Sequence, residues 1–375
     1  MLSEQEIRRI GKLGFGLMRL PKLEDGSMDI EQIKQMVDLF LDKGFIYFDT
    51  AYVYDGGLSE EAARDALVRR YPRERFLLAT KLNARVAENR EAAEKQLQTS
   101  LERTEAGYFD FYLLHAIGSG NLPKYDEYKI WDFAARKKAE GLIKHWGFSF
   151  HDGPDLLDRL LNEHPDAEFV QLQINYADWE DSRVASRRCY EVAQAHGKPV
   201  VVMEPVKGGT LANPPQRVRD VLAAAEPDAS PASWAIRFAA SQQGVMTVLS
   251  GMSNLDQMRD NLKTMAGFTG FTAAQAETLE QARQALLSVD SIGCTGCRYC
   301  VDGCPMNIPI PGIFLAMNER LIFDNAASAH RRYGMVTGER GKAADCIACG
   351  QCEGACPQQL PVIELLKKCS AEFDQ

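Results

Sequence analysis

No apolar stretch in the 375 residues reaches the roughly 18 that a membrane-spanning helix needs, and the opening MLSEQEIRRIGKLGFG lacks the apolar core of a secretory signal. The expectation is a cytoplasmic protein with no membrane partner. Positive charge is also short: 43 Lys+Arg against 52 Asp+Glu leave a net charge of -9, which excludes the basic footprint of a nucleic-acid binder. Low-complexity segments and Gly/Ser-rich linkers are missing, and 45% hydrophobic with 25% charged residues excludes disorder and collagen-like architecture. Cysteine is nearly absent before residue 294, where only Cys189 occurs.

Residues 13–249 alternate short apolar, β-branched or aromatic runs with longer stretches of helical period, the signature of repeated βα units around a parallel sheet. Strands are predicted at Leu13–Leu17, Phe45–Phe48, Phe76–Thr80, Phe109–Leu114, Ile143–Phe148, Phe169–Ile174, Val200–Met203 and Met246–Leu249. Helices between them include Ile30–Lys43, Ser59–Tyr71, Tyr125–Gly141 and Asp181–Gly197, with Asp29, Ser59 and Ser230-Pro231 as helix starts. Tyr128, Trp131 and Ala135 share a helical face and read as core. Eight units over about 250 residues fit a closed (β/α)8 barrel better than an open doubly wound sheet. The expected domains are a barrel over 1–270, a connecting helix within 271–290 (Ala273–Val289) and a small, mainly helical cysteine-rich domain over 291–375.

Nine of the ten cysteines crowd this last segment, in two copies of one motif. Cys294-x2-Cys297-x2-Cys300-x3-Cys304-Pro305 recurs as Cys346-x2-Cys349-x2-Cys352-x3-Cys356-Pro357. Three thiolates at this spacing can hold three corners of a cubane, while the fourth belongs to the other cluster in two-cluster ferredoxins. The predicted sets are Cys294, Cys297 and Cys300 with Cys356, and Cys346, Cys349 and Cys352 with Cys304. Zinc is the nearest alternative, but a zinc ribbon has no use for a third and fourth Cys at this spacing. Cys189 and Cys369 fall outside the motif and read as packed thiols. The spacer, about forty residues long, carries a predicted helix at Gly312–Phe323 and resembles the α-helical ferredoxin modules fused to other oxidoreductases.

On a barrel, catalytic side chains gather where strands end and βα loops begin. Asp49 follows the second apolar run, Tyr54 lies five residues on, and Lys81 and His115 close the third and fourth runs. Singly, these could be a turn carboxylate, a wall residue, a solvated strand end and a core histidine. Together they form a proton donor with tuning partners: an ammonium beside a phenol is expected to lower its pKa, and a carboxylate can hold that ammonium.

Leu13-Gly14-Phe15-Gly16, Phe48-Asp49-Thr50-Ala51-Tyr52-Val53-Tyr54, Lys81 and His115 resemble the aldo-keto reductase family over about residues 10–265. The resemblance implies NADP(H) or NAD(H) extended across the barrel mouth and reversible reduction of a small-molecule carbonyl. Tyr54 would donate the proton, Lys81 and Asp49 would tune it, and His115 would orient the substrate oxygen. It also implies cofactor contacts at Gly16, Met18 and Met203, at Ser149 and Gln171 for the carboxamide, at Val206, Gly208 and Gly209 for the pyrophosphate, and at Gly251, Ser253, Gln257 and Asn261 for the adenosine end. Departures are Phe150 after Ser149, Met203 where an aromatic commonly stacks on nicotinamide, and Gly251 and Gln257 where basic residues often grip a 2′-phosphate.

Nicotinamide exchanges two electrons at once and each [4Fe-4S] cluster one, so a bound flavin or a redox protein partner is expected between them, or the clusters do something else. No separate flavin fingerprint is visible. Three further readings stay open: clusters that only staple a small domain, a redox- or oxygen-sensing module with an idle barrel site, and a ferredoxin-type electron-transfer reductase.

Overall fold

The computed structural model describes residues 2–182, 184–288, 290–323 and 326–374. Eight parallel strands close into a barrel in sequence order: β1 Leu13–Gly16, β2 Tyr47–Asp49, β3 Leu77–Leu82, β4 Phe109–Ile117, β5 Ile143–Phe150, β6 Val170–Gln173, β7 Val200–Met203 and β8 Val245–Ser250. β8 pairs with β1 through Val248 opposite Leu13, which closes the ring. Gly147 on β5 permits a tight approach to the adjoining strand, since a Cβ there would lie 2.2 Å from the Phe169 carbonyl oxygen.

Buried Tyr47, Ala79, Phe111, Leu113, Phe169, Val201 and Met246 form one cluster that also takes in Ile10. Several of these stand at the first residues of their strands, so the helix Glu4–Ile10, unpredicted from sequence, packs at the N-terminal mouth. Its capping box, Ser3 with Glu6, fixes where it begins. The opposite mouth is left to the βα loops.

The chain divides into two compact units: residues 1–180, 185–205 and 233–271 in the first, and 181–184, 206–232 and 272–375 in the second. The segment 206–232, which follows β7, thus groups with the cysteine-rich part. It contains a helix the sequence reading missed, Gln216–Ala225, which packs against Ala273–Leu287. Around the cysteines, Ile308, Ile313, Phe314, Tyr333, Leu360 and Leu366 make a second hydrophobic core. Helices Ile310–Phe323, Ala326–Thr337 and Val362–Phe373 surround it; only the first was predicted, from Gly312 onward.

Other expectations are corrected by local backbone. Tyr125–Gly141 is two helices, Leu122–Glu127 and Ile130–Ala139, because Lys129 between them is left-handed (φ +53°). Tyr128 and Trp131 are core, whereas Ala135 is half-buried. Asp29 caps its helix as expected, accepting from Gln32 N. Ser59 caps none: its helix starts after left-handed Gly57, and its hydroxyl donates instead to the Leu17 carbonyl. Asp181–Gly197 shortens to Ser186–Ala195. Arg183 and Val289 of the predicted helices lie outside the described residues.

Candidate functional site

Asp49 ends β2, and a tight turn brings Tyr54 back beside it. β3 and β4 run further than expected, so Lys81 and His115 sit inside the strands rather than beyond them, near their C-terminal ends. All four side chains are buried, Tyr54 the least so at 9% exposure. Lys81 Nζ donates to Asp49 Oδ1 at 2.5 Å, to the Thr50 carbonyl at 2.7 Å and to the Tyr54 hydroxyl oxygen at 3.2 Å. The Tyr54 and His115 rings meet edge to face, centroids 5.7 Å apart.

The electrostatics differ from the expectation in one respect. Tyr54 is not lowered: burial, then the Asp49 and Glu204 carboxylates, push the phenol well above its ordinary range, opposed by Arg19. Desolvation and the two carboxylates outweigh the Arg19 guanidinium. Burial likewise drives Asp49 up and Lys81 down, each opposed by the charge of the other. His115 falls well below 6.5 through burial, then Lys81, and stands as a neutral imidazole. The site therefore holds a protonated phenol and a neutral imidazole, a donor set suited to a developing alkoxide.

Arg19 and Glu204 were missed. Their groups lie 3.8 Å apart and both act on Tyr54. The available signal was position: Arg19 follows β1 and Glu204 follows β7, so both begin βα loops at the same mouth.

Ser149 on β5 and Gln171 on β6 are register partners. Ser149 Oγ accepts from Ala116 N at 2.7 Å, leaving its O–H to donate, while Gln171 Oε1 is buried without a hydrogen-bond partner among the described residues. One donor beside one acceptor fits a carboxamide such as that of nicotinamide. Gly16 and Gly251 lie side by side, a Cβ on Gly16 falling 3.7 Å from Gly251 N. Met18 and Met203 are half-buried. Ser253 N donates to Gln257 Oε1, and Asn261 donates its amide to Ser250 Oγ at 2.7 Å, so these two side chains are engaged within the protein. Val206, Gly208 and Gly209 belong to the second unit, where Gly208 lies against Thr295.

The cysteine repeat is also a conformational repeat. Gly296 and Arg298 are left-handed in the first loop, as are Ala348 and Gly350 at the matching places in the second; Asn307 and Gln359 match likewise beyond Cys304 and Cys356. Arg298 and Ala348 adopt φ values that L-residues avoid, a cost that points to function. Cys294, Cys297, Cys300 and Cys356 line one cavity, the set expected from spacing. The Cys300 thiol is raised by burial and then by Cys297, Cys294 and Cys356, and Gly296 N donates to Cys294 Sγ. Four convergent thiols with a backbone donor fit an iron–sulfur cluster. In the second loop Cys352 is buried and raised to about 11 by burial and by Cys346, while Cys349 is exposed. Cys189 and Cys369 are buried thiols.

A closed parallel barrel carrying this buried proton-donor group at its C-terminal mouth defines a barrel oxidoreductase. Residues 12–284 match the aldo/keto reductase family and residues 293–360 match a 4Fe-4S dicluster domain. The chain belongs to the aldo/keto reductase family. It is 24% identical over 287 residues to an uncharacterised oxidoreductase of Bacillus subtilis, YqkF, across 68% of this chain and 87% of that one. The holo form of a Bacillus halodurans aldo-keto reductase superposes with TM-score 0.58 at 25% identity, over 72% of this chain and 91% of that one. A Klebsiella pneumoniae aldo-keto reductase in complex with NADPH gives 0.57 at 20% identity, over 72% and 89%. The flavin expected as one possible bridge finds no support in these comparisons. No helix among the described residues is long and apolar enough to cross a membrane.

Proposed function

We propose that the chain reduces the carbonyl of a small molecule with NADPH or NADH, and that Cys294, Cys297, Cys300 and Cys356, and Cys346, Cys349, Cys352 and Cys304, hold two [4Fe-4S] clusters. The observation that carries the first part is the 3.2 Å contact between Lys81 Nζ and the Tyr54 hydroxyl, beside neutral His115. When bound, the reduced nicotinamide supplies a hydride to the carbonyl carbon. Tyr54 delivers its proton to the carbonyl oxygen, and the Lys81 ammonium stabilises the phenolate left behind. His115 donates a hydrogen bond that orients the oxygen. Ser149 and Gln171 hold the carboxamide, and Gly251, Ser253, Gln257 and Asn261 serve the adenosine end of the nucleotide. The Klebsiella neighbour solved with NADPH supports the nucleotide.

The clusters exchange single electrons with a redox protein partner. Exposed Cys349 and its neighbour Ile347, 60% exposed, support this by giving the second loop access to a partner.

Tyr54→Phe tests the first part. Nucleotide oxidation driven by aldehydes or ketones is expected to fall about 10²–10⁴-fold with nucleotide binding retained; undiminished turnover overturns the assignment. Anaerobic mixing of cluster-replete protein with NADPH, then NADH, tests the second. Bleaching of cluster absorbance joins nicotinamide to the clusters, and clusters reducible only by dithionite leave the partner as the source of electrons.

A further inference from the structure

The cavity of the first four cysteines is lined as well by Gln358, two residues beyond Cys356 and 2% exposed. Lys207 Nζ donates to Gln358 Oε1 at 3.2 Å. An ammonium can only donate, so this contact fixes the amide and turns Nε2 away from Lys207. Nε2 is buried and has no hydrogen-bond partner among the described residues. Lys207 is held in place by its own loop: it is left-handed at φ +47°, and Gly208 beside it fits so closely to Thr295 that a Cβ would lie 2.3 Å from that carbonyl oxygen. Lys207 also lies beside Gly293, the residue before Cys294.

The cysteine repeat makes the comparison internal. Cys356-Pro357-Gln358 corresponds to Cys304-Pro305-Met306. Methionine has no N–H to give, and Met306 is 38% exposed. An N–H donor to cluster sulfur and a nearby positive charge both favour the reduced, more negative cluster, and so raise its potential.

We infer that Gln358, polarised by Lys207, is a positioning pair that donates a hydrogen bond to sulfur of the first cluster alone, setting its potential above that of the second and making it the electron sink. The inference rests on the reading that these four cysteines hold a cluster.

Potentiometric titration of the full cluster-replete chain, followed by the paramagnetic signals, tests it. The parent is expected to titrate in two steps. Gln358→Met and Lys207→Met should each lower the higher midpoint and leave the lower one in place, while Lys207→Arg keeps the parent value. Midpoints that ignore both methionine variants, or move together, overturn the inference alone. Unchanged iron content in Cys300→Ala overturns the ligand reading, and the inference with it.

Discussion

Lys81 Nζ stands 2.5 Å from Asp49 Oδ1, with both residues at most 2% exposed. Removing one charge from such a pair leaves the other buried without its partner. Asp49→Asn is therefore expected to destabilise the fold by about 3–5 kcal/mol, and the double variant Asp49→Asn/Lys81→Met by less than the single one. Urea unfolding of the three proteins measures this; an additive double variant would show that the pair is not coupled.

The raised Tyr54 and lowered His115 fix the shape of the pH profile. A proton donor is active while protonated, so raising its pKa extends activity to higher pH; a histidine already neutral adds no limb of its own. Carbonyl reduction is expected to show no titration of either group between about pH 6 and about pH 9. A limb near 6.5 that disappears in His115→Gln would contradict the neutral imidazole.

Glu168 has a measurable linkage to stability. Burial opposes its ionisation, yet hydrogen bonds from His145 and Lys138 hold it down at about 2. The folded pKa lies below the unfolded one, so the stabilisation is full above the unfolded value of about 4.3 and is lost as pH falls through about 2. Glu168→Gln should cost about 2 kcal/mol at neutral pH, after allowance for solvent screening, with the gap closing on acidification. A gap independent of pH would place the effect in packing.

Gly208 and Gly209 are both left-handed, but only Gly208 meets another segment, Thr295. Gly208→Ala is expected to cost about 1–3 kcal/mol more than Gly209→Ala, because it adds overpacking to the backbone strain common to both. Thermal unfolding of the cluster-replete protein separates them. Equal losses would mean that the close fit to Thr295 carries no energy.

The sequence alone determined what depends on near neighbours along the chain. Strand runs and the repeated cysteine spacing were legible because a strand and a Cys-x2-Cys turn are local objects. Asp49, Tyr54, Lys81 and His115 were legible because a barrel sends the C-terminal ends of its strands to one mouth.

Tertiary structure decided whatever depends on burial and on contacts distant in sequence. The pKa of Tyr54 rises chiefly because folding buries the phenol, and then because the carboxylates of Asp49 and of Glu204, just after β7, act on it. Lys129 breaks a helix that an apolar stripe made continuous. Gln216–Ala225, short and set among prolines and glycines, gains its partner only when Ala273–Leu287 packs on it. Lys207 and Gln358, 151 positions apart, meet only in the folded chain. No local pattern could pair them, since the ammonium and the carboxamide meet through packing rather than through spacing.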